Sequence, residues 1–288
     1  MIIVKVYGGL AGQMMQYAFA CFLELKRREE VKIDISFFGG QARNNSFRKF
    51  ELINWNTKFC IASEEDYNYI FSKVKLKDKI NYRLFKKEVE NRNYFREKLP
   101  FRFDPDVLNT DYSIFDGYWV NHDYIDQVKG RLLKDFTPRY PISDKNKEVL
   151  HMMESSNSVS IHFRRGDYVD SIHDVLKKDY YTEAIDHIKQ TVENPRFFVF
   201  SDDLEFVKHT YEFPGEALFI DHNKLDESYW DIFLMSKCRH NVIANSGFSY
   251  WGAWLNQHKN AIVVAPSNWM ETENSISENL LLKHWHII

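Results

Sequence analysis

Short apolar runs alternate with helical patterns throughout the second half of this chain, and this alternation limits the possible fold more than any other feature. Strands that alternate with helices pair in parallel and need helices on both faces of the sheet. The pattern therefore predicts a doubly wound α/β lobe. The predicted strands span residues 159–163, 196–200, 217–220, 241–244 and 261–265, and the helical segments span residues 144–154, 180–192, 204–211, 229–237 and 245–255.

The first residues of the chain predict a second α/β lobe. A strand over residues 2–6 leads into a glycine turn over residues 8–12, a helix over residues 13–28 and a strand over residues 31–36. Glycines let a ligand approach the backbone closely, and a helix N-terminus favours an anion. The spacing differs from the G-x-G-x-x-G motif of dinucleotide-binding folds, so a tight turn without a ligand is an equal alternative.

Chain length and proline positions predict two lobes. A chain of 288 residues with 44% hydrophobic residues can fill two α/β units. A helix over residues 123–136 closes the first lobe, and Pro138 and Pro141 mark the linker. We therefore predict an N-terminal lobe over residues 1–143 and a C-terminal lobe over residues 144–288.

Composition argues against several classes of protein. A formal net charge of −3 gives no general case for nucleic-acid binding. The N-terminal residues have neither a signal-peptide layout nor an apolar run of membrane-spanning length, so we expect a cytoplasmic protein. The spacing of Cys21, Cys60 and Cys238 fits neither a disulfide framework nor a zinc site, and we expect buried thiols in a reducing compartment.

One stretch is strongly basic. Residues 73–98 contain ten lysines and arginines against four acidic residues. A solvated surface is one interpretation of this run. The alternative is a face attracted to anionic lipid or to a lipid-linked pyrophosphate.

Polar side chains gather directly after three predicted strands of the second lobe. The carboxyl ends of parallel strands share one edge of a sheet, which is where open α/β sheets bind ligands. We therefore expect a single crevice lined by all three groups. These groups are His162, Arg164, Arg165 and Asp167; Ser201, Asp202 and Asp203; and Asn245, Ser246, Phe248 and Ser249.

The adjacent arginines of the first group point to a diphosphate. Guanidiniums stay charged and donate two parallel hydrogen bonds to phosphate oxygens, and Asp167 can hold one of them in place. A structural Arg–Asp cluster is the alternative. One of Asp202 and Asp203 can accept hydrogen bonds from guanine, and a helix N-cap is the alternative use of the same pair. The two aspartates are adjacent and not spaced, so no metal ion is expected.

Longer segments make the chain similar to the bacterial α-1,2-fucosyltransferase family over nearly its full length. The resemblance implies a GT-B-like α/β fold with two Rossmann-like lobes around a cleft, the first lobe facing the acceptor and the second binding a GDP-sugar. It also implies an inverting mechanism with no required metal or other cofactor. The segments are GGLAGQMMQYAFA (8–20), DGYWV (116–120), SIHFRRGDYV (160–169), FSDD (200–203) and DIFLMSKCRHNVIANSGFSYWGAWLN (231–256).

Carried over position by position, the resemblance implies roles for individual residues. Arg164 and Arg165 would bind the pyrophosphate and stabilise the departing charge, with Asp167 ordering them. His162 and one of the two adjacent aspartates would contact guanine. The other donor-binding residues would be Gly9, Gly12 and Gln13 at the first turn and Asn245, Ser246, Phe248 and Ser249 on the phosphate-side loop.

The general base is left open by the sequence. The galactose O2 must lose a proton as it attacks, and three titratable residues follow the arginine motif. Each of them can equally be a solvated loop residue. The candidates are Asp170, His173 and Asp174.

Three positions depart from the family pattern. Gly12 stands where the family usually has asparagine, Val120 where it has glutamine, and Tyr250 where it has the first tryptophan of a pair. Loss of polar side chains beside a sugar favours a donor in which a hydroxyl is missing or placed differently. GDP-colitose is a 3-deoxy relative of GDP-L-fucose that members of this group use, so both donors remain open.

We therefore predict an enzyme that moves L-fucose, or alternatively colitose, from GDP to O2 of a galactose in an O-antigen repeat. The acceptor would end in galactose and could be lipid-linked. We expect no nucleic-acid partner and at most peripheral contact with the inner face of the cytoplasmic membrane. A GDP-sugar- or glycan-binding module without catalysis is the second hypothesis. The missing G-x-G-x-x-G motif disfavours a nucleotide-dependent oxidoreductase.

Overall fold

The chain folds into two α/β units, Met1–Phe136 and Thr137–Ile288, in a computed structural model that describes residues 1–39, 48–72, 93–271 and 275–288. The division falls just before Pro138 and before the predicted boundary between residues 143 and 144. Residues 73–92, which make up most of the basic run, lie outside the described residues.

The first unit is built on a parallel sheet. Its strands are β1 (Ile2–Lys5), β2 (Val31–Asp34), β3 (Cys60–Ile61), β4 (Tyr94–Arg96) and β5 (Ile114–Asp116), and its helices are α1 (Leu10–Arg27), α2 (Ser36–Gly39), α3 (Glu64–Ser72), α4 (His122–Asp126) and α5 (Lys129–Asp135). The strand order is β3-β2-β1-β5-β4. β1 lies at the centre of the sheet. Its three successive residues Ile2, Ile3 and Val4 are all buried, because a central parallel strand is covered on both faces.

Helix α1 begins inside the predicted glycine turn. The turn is confined to Gly8 and Gly9, and Leu10 already belongs to the helix. Gly8 has a φ of +79°, a left-handed conformation that residues with a Cβ rarely adopt. Gly12 therefore lies in the first turn of α1 and not in the loop before it.

The second unit carries the alternation that the sequence predicted. Its strands are β6 (Asn157–Phe163), β7 (Pro195–Ser201), β8 (Ala217–Ile220), β9 (His240–Val242), β10 (Val263–Ala265) and β11 (His286–Ile287), and its helices are α6 (Asp144–Glu154), α7 (Lys178–Thr191), α8 (Leu204–Thr210), α9 (Tyr229–Lys237), α10 (Gly247–Trp254) and α11 (Ser275–Leu280). The order is β11-β10-β9-β6-β7-β8, with parallel pairing throughout. The prediction of two α/β lobes is confirmed.

Strand β6 separates an apolar layer from a polar one. Val159, Ile161 and Phe163 point into a hydrophobic cluster with α7. The alternate residues face the other layer, where Nδ2 of Asn241 donates to Oγ of Ser160 at 2.7 Å. A strand of period two thus places the buried His162 on the polar side, at the carboxyl end.

Some predictions about the fold were wrong in detail. The strand predicted over residues 31–36 ends at Asp34, and the helix predicted over residues 123–136 is divided into α4 and α5. Cys60, predicted to be buried, is exposed on β3, whereas Cys21 and Cys238 are buried. Strands β3 and β11 have two residues each, too few to produce a periodic pattern. Within the described ranges, no helix is both long and apolar enough to cross a membrane.

Candidate functional site

The carboxyl ends of β9, β6 and β7 lie side by side in the second sheet. Phe163 pairs with Ser201, so β6 and β7 end at the same level. β9 pairs with the opposite side of β6. The three predicted groups of polar residues therefore meet at one edge of the sheet, as the sequence predicted.

The guanidinium of Arg164 is fixed by two carboxylates and an aromatic ring. Nη1 lies 2.7 Å from Oδ2 of Asp202, and Nη2 pairs with Oδ1 of Asp167. Cζ lies 5.2 Å from the centroid of the Tyr168 ring, within the range of a cation–π contact. A guanidinium has five N–H donors, so these contacts set its direction and leave donors for a ligand.

Arg165 is held by a different set of contacts. Its Nε donates to Oδ2 of Asp203 at 3.2 Å. Its Cζ lies 3.3 Å from the centroid of the Phe206 ring, so the guanidinium stacks on that ring. Its terminal nitrogens make no hydrogen bond to the part of the chain that the structure describes. They can reach a phosphate without breaking an existing contact.

Asp202 connects the two arginines. Its Oδ1 accepts the backbone N–H of Arg165 at 2.9 Å, while its Oδ2 pairs with Arg164. Gly166 makes this approach possible, because a Cβ at that position would lie 2.7 Å from Oδ2 of Asp202. A side chain at the glycine of the R-R-G-D segment would therefore displace this carboxylate from its position beside Arg164.

Asp203 is the N-cap of α8. Its Oδ1 accepts the backbone N–H of Phe206 at 3.2 Å. Helix capping and guanine binding were the two uses that the sequence left open for the adjacent aspartates, and Asp203 performs the first. Its side chain is 42% exposed against 25% for Asp202.

His162 is a buried and neutral imidazole beside Arg164. Burial, and then the positive charge of Arg164, lowers the pKa of His162 from 6.5 to about 3. Its Nδ1 is buried and has no hydrogen-bond partner among the described residues. Buried polar atoms are nearly always hydrogen-bonded, so the unpaired nitrogen carries a free-energy cost in this conformation.

The loop after β9 uses its hydroxyl groups internally. Oγ of Ser246 accepts the backbone N–H of Phe248 at 3.3 Å and caps α10. Oγ of Ser249 accepts the backbone N–H of Ala244 at 3.1 Å and is buried. The predicted phosphate-side loop can therefore offer the backbone N–H groups of the first turn of α10 more readily than these hydroxyls. The ring of Phe248 lies 5.6 Å from that of His162.

Asn245, predicted to bind the donor, connects three segments of the unit. Its Nδ2 donates to the backbone oxygens of His173 at 2.9 Å and Trp269 at 3.0 Å. The side chain is buried, and both of its amide hydrogens are used. Asn245 therefore anchors the segment of candidate bases to the end of β9.

The three candidate bases differ in how they are held. The His173 ring stacks on Tyr168 with centroids 4.8 Å apart, and Tyr168 also contacts Arg164. Asp174 pairs with Lys177 at 3.7 Å. Asp170 is exposed, with a left-handed φ of 59°. Of the three, His173 is the one tied to the arginine site through a shared ring.

Gln13, in the first unit, is a structural residue of the glycine turn. Its Nε2 donates to the backbone oxygens of Gly8 at 3.0 Å and Lys49 at 2.8 Å, and its Oε1 accepts the backbone N–H of Glu51 at 2.8 Å. Gln13 has no exposed surface, so none of its side-chain atoms is accessible for the predicted contact with a donor.

The predicted glycines of the first unit border exposed side chains. A Cβ on Gly12 would lie 3.1 Å from the Tyr118 ring, and one on Gly9 would lie 3.5 Å from the Arg48 guanidinium. Tyr118 and Tyr168 were not among the predicted site residues, although both lie inside the segments that carry the family resemblance. Tyrosines in an aromatic-rich chain carry no signal that separates a site from the core. No group of three histidine, cysteine or acidic residues suited to a metal ion occurs in the described ranges.

Comparison with known proteins gives a family match over the whole chain. The family model for glycosyl transferase family 11 matches residues 1–288, which confirms the predicted resemblance. The chain is 31% identical to an α-1,2-colitosyltransferase of Escherichia coli, over 99% of this chain and 97% of that protein. It is 29% identical to the O-antigen biosynthesis glycosyltransferase WbnK of Escherichia coli, over 96% and 97%. The fucosyltransferase NodZ from Bradyrhizobium has a TM-score of 0.48 and 8% identity, over 87% and 91% of the two chains.

Proposed function

Because this chain belongs to glycosyl transferase family 11, we propose that it is an inverting glycosyltransferase that moves a 6-deoxyhexose from GDP to O2 of a galactose, in α-1,2 linkage. The observation that carries the proposal is the pair of fixed guanidiniums at the carboxyl edge of the second sheet. This is the chemistry that a nucleoside diphosphate requires.

Arg164 and Arg165 would act on the leaving group. As the bond from the sugar to GDP breaks, negative charge builds on the β-phosphate. Donors that are already oriented by Asp167, Asp202 and Asp203 stabilise that charge without reorganisation. They lower the barrier because they interact more strongly with the transition state than with the intact donor.

The donor sugar is L-fucose or colitose. The α-1,2-colitosyltransferase of Escherichia coli supports colitose, as does Gly12, which offers no side-chain amide. L-fucose is supported by the mouse relative named galactoside 2-α-L-fucosyltransferase Sec1, which is 27% identical over half of this chain. The name of the second Escherichia coli relative supports an O-antigen acceptor, and the word galactoside in the name of the mouse relative supports an acceptor that ends in galactose.

His173 is the general base that we propose for the acceptor. Its ring is fixed by Tyr168, and its backbone is fixed by Asn245. A base must be held within reach of the hydroxyl that it deprotonates, and Asp170 and Asp174 lack a comparable connection to the arginines.

The proposal requires no metal ion, because the two guanidiniums supply the positive charge that a metal would otherwise bring to a diphosphate. Activity is expected to be unchanged after EDTA treatment, and loss of activity that magnesium restores would contradict this part. The proposal also places the protein in the cytoplasm, with at most peripheral contact with the membrane. Cell fractionation tests that location.

The proposal is tested by incubating the protein with GDP-L-fucose or GDP-colitose and methyl β-D-galactopyranoside and measuring released GDP. Wild-type protein is expected to release GDP when acceptor is present and to form the α-1,2-linked disaccharide. Arg164→Ala is expected to lower kcat by about 10²- to 10³-fold, as loss of one oriented donor does elsewhere. Arg196→Ala, which removes an arginine at the amino end of β7, is the matched control. Turnover of Arg164→Ala near the wild-type rate would contradict the phosphate role, and donor binding without transfer would favour a non-catalytic module.

A further inference from the structure

Three aromatic rings stand at the carboxyl edge of the first sheet. Tyr7 follows β1, Phe37 lies in α2 after β2, and Tyr118 follows β5. These strands are neighbours in the order β2-β1-β5. We call Tyr7, Phe37 and Tyr118 the aromatic cluster. Its position is equivalent, within its own sheet, to that of the arginine site in the second sheet.

The rings of the cluster contact one another and remain open to solvent. The centroids of Tyr7 and Tyr118 are 5.0 Å apart at 73°, and those of Tyr7 and Phe37 are 6.1 Å apart at 51°. Phe37 is 48% exposed and Tyr118 is 46% exposed. Rings that complete a core are buried, as Phe19 and Trp119 are in the same unit. The cluster instead presents apolar ring surface to water.

The backbone beneath Tyr118 is fixed by a carboxylate. Glu97 accepts the backbone N–H of Tyr118 at 2.8 Å and that of Trp119 at 3.2 Å. Burial raises the pKa of the Glu97 carboxyl, while these two hydrogen bonds oppose that rise. The next ring along the chain, Trp119, stacks on Phe19 at 4.0 Å inside the unit. The exposed Tyr118 therefore stands on a rigid turn.

Gly8 and Gly12 have no side chains, and the Tyr118 ring occupies the space that this leaves. A Cβ on Gly8 would lie 3.1 Å from the Tyr118 hydroxyl oxygen, and one on Gly12 would lie 3.1 Å from a ring carbon. Gln16 joins the two sides, since its Oε1 accepts the backbone N–H of Tyr7 at 3.0 Å and its Nε2 donates to the backbone oxygen of Gly117 at 3.1 Å. A surface that is rigid before binding loses little entropy when a ligand arrives.

Polar groups border the cluster. The carboxylate of Asp116 interacts with the phenol of Tyr7 and pairs with Lys5 at 3.8 Å. The Arg48 guanidinium lies beside Gly9 and acts electrostatically on Tyr118. An apolar ring surface with donors and acceptors at its border suits a ligand that has one apolar face and hydroxyl groups around it.

We propose that the aromatic cluster binds the galactopyranose of the acceptor, with the rings of Tyr118 and Phe37 against the sugar face formed by the C–H groups at C3, C4 and C5. This inference rests on the proposed function for the choice of galactose. The axial O4 of galactose leaves these C–H groups on one face, which forms the apolar patch that a ring can cover. The hydroxyl groups at the sugar's border then face the polar groups around the cluster.

The test measures acceptor binding without the donor. Saturation-transfer NMR with methyl β-D-galactopyranoside is expected to show the strongest transfer at H3, H4 and H5 for wild-type protein. Tyr118→Ala and Phe37→Ala are each expected to weaken binding by about tenfold, as loss of one ring contact predicts. Tyr118→Phe keeps the ring and is expected to weaken binding less than Tyr118→Ala. Tyr69→Ala, which removes an exposed tyrosine from α3, is the matched control.

A kinetic measurement separates this proposal from the proposed function. Where the wild-type protein transfers sugar, the Tyr118→Ala variant is expected to have an acceptor KM about tenfold higher than wild type. Its affinity for GDP is expected to equal that of wild type. An unchanged acceptor KM, or a raised donor KM instead, would overturn the cluster's role while leaving the transferase intact. Wild-type protein that binds the galactoside through these rings but releases no GDP would contradict the transferase and support the cluster.

Discussion

Oδ2 of Asp202 lies 2.7 Å from Nη1 of Arg164. The same carboxylate accepts the backbone N–H of Arg165 through its other oxygen. One side chain at the end of β7 thus fixes both members of the arginine pair at the end of β6. The approach depends on Gly166, where a Cβ would come within 2.7 Å of the carboxylate. The arginine pair is therefore set by a contact between two strands and not by its own loop alone.

Asp202→Asn is expected to weaken GDP binding more than Asp203→Asn. The first change removes the charge that pairs with Arg164 at 2.7 Å, whereas the second weakens a longer pair, 3.2 Å from Nε of Arg165. Asparagine at position 203 also still caps the helix about as well as aspartate. We expect roughly a tenfold loss of GDP affinity for Asp202→Asn, the value of one charge-assisted hydrogen bond. The loss for Asp203→Asn is expected to be about threefold or less. Calorimetric titration with GDP measures both, and a larger loss for Asp203→Asn would contradict this assignment.

The general base is identified by comparing kcat for three variants at saturating donor and acceptor. His173→Ala is expected to lower kcat by about 10²- to 10⁴-fold, the usual contribution of a positioned base. Asp170→Asn and Asp174→Asn are expected to change kcat by less than about fivefold on the same scale. Since Asn245 holds the backbone of His173, Asn245→Ala is expected to lower kcat as well, by a smaller factor. A large loss confined to Asp170→Asn or Asp174→Asn would assign the base there instead.

The residues of the site could be predicted from the sequence to different degrees. The alternation of strands and helices placed the groups at residues 162–167, 201–203 and 245–249 on one edge, because parallel strands end together. The sequence could not predict that Asp203 caps the helix and that Asp202 pairs with Arg164, since an aspartate is suited to both roles. The same limit applies to Gln13 and Asn245, whose amides bind backbone carbonyls in distant segments. Such partners depend on tertiary contacts that no local pattern records.

His162 is expected to make the second unit less stable in acid. Its pKa is lowered to about 3 in the folded protein, while in the unfolded chain it titrates near 6.5. The unfolded state therefore binds an extra proton as the pH falls below 6.5, and stability is lost. The loss attributable to His162 is about 2 kcal/mol between pH 6.5 and pH 5.

Denaturant unfolding of His162→Gln measures this contribution, because glutamine does not titrate. As the pH falls from 7 to 5, the unfolding free energy of the wild type is expected to decrease more than that of the variant. A difference that stays constant over that range would show that the imidazole does not titrate as its burial requires.

Asp231 is expected to give the opposite pH dependence. Burial raises the pKa of this α9 carboxyl from 3.8 to about 7, although Nδ2 of Asn223 donates to it at 2.8 Å. Asn223 also exchanges hydrogen bonds with Asn146, whose Oδ1 contacts His222, so the carboxyl belongs to a buried polar network. The folded state holds its proton more tightly than the unfolded state. Stability is therefore present below pH 3.8 and is lost as the pH rises to about 7.

Asp231→Asn keeps an oxygen for Asn223 and removes the titration. Relative to wild type, the variant is expected to gain roughly 2 to 4 kcal/mol of unfolding free energy between pH 4 and pH 8. Glu183→Gln, which changes an exposed carboxylate on α7, is the control for the loss of one negative charge. A gain that does not depend on pH would mean that the Asp231 carboxyl is already ionised at pH 4 in the folded protein.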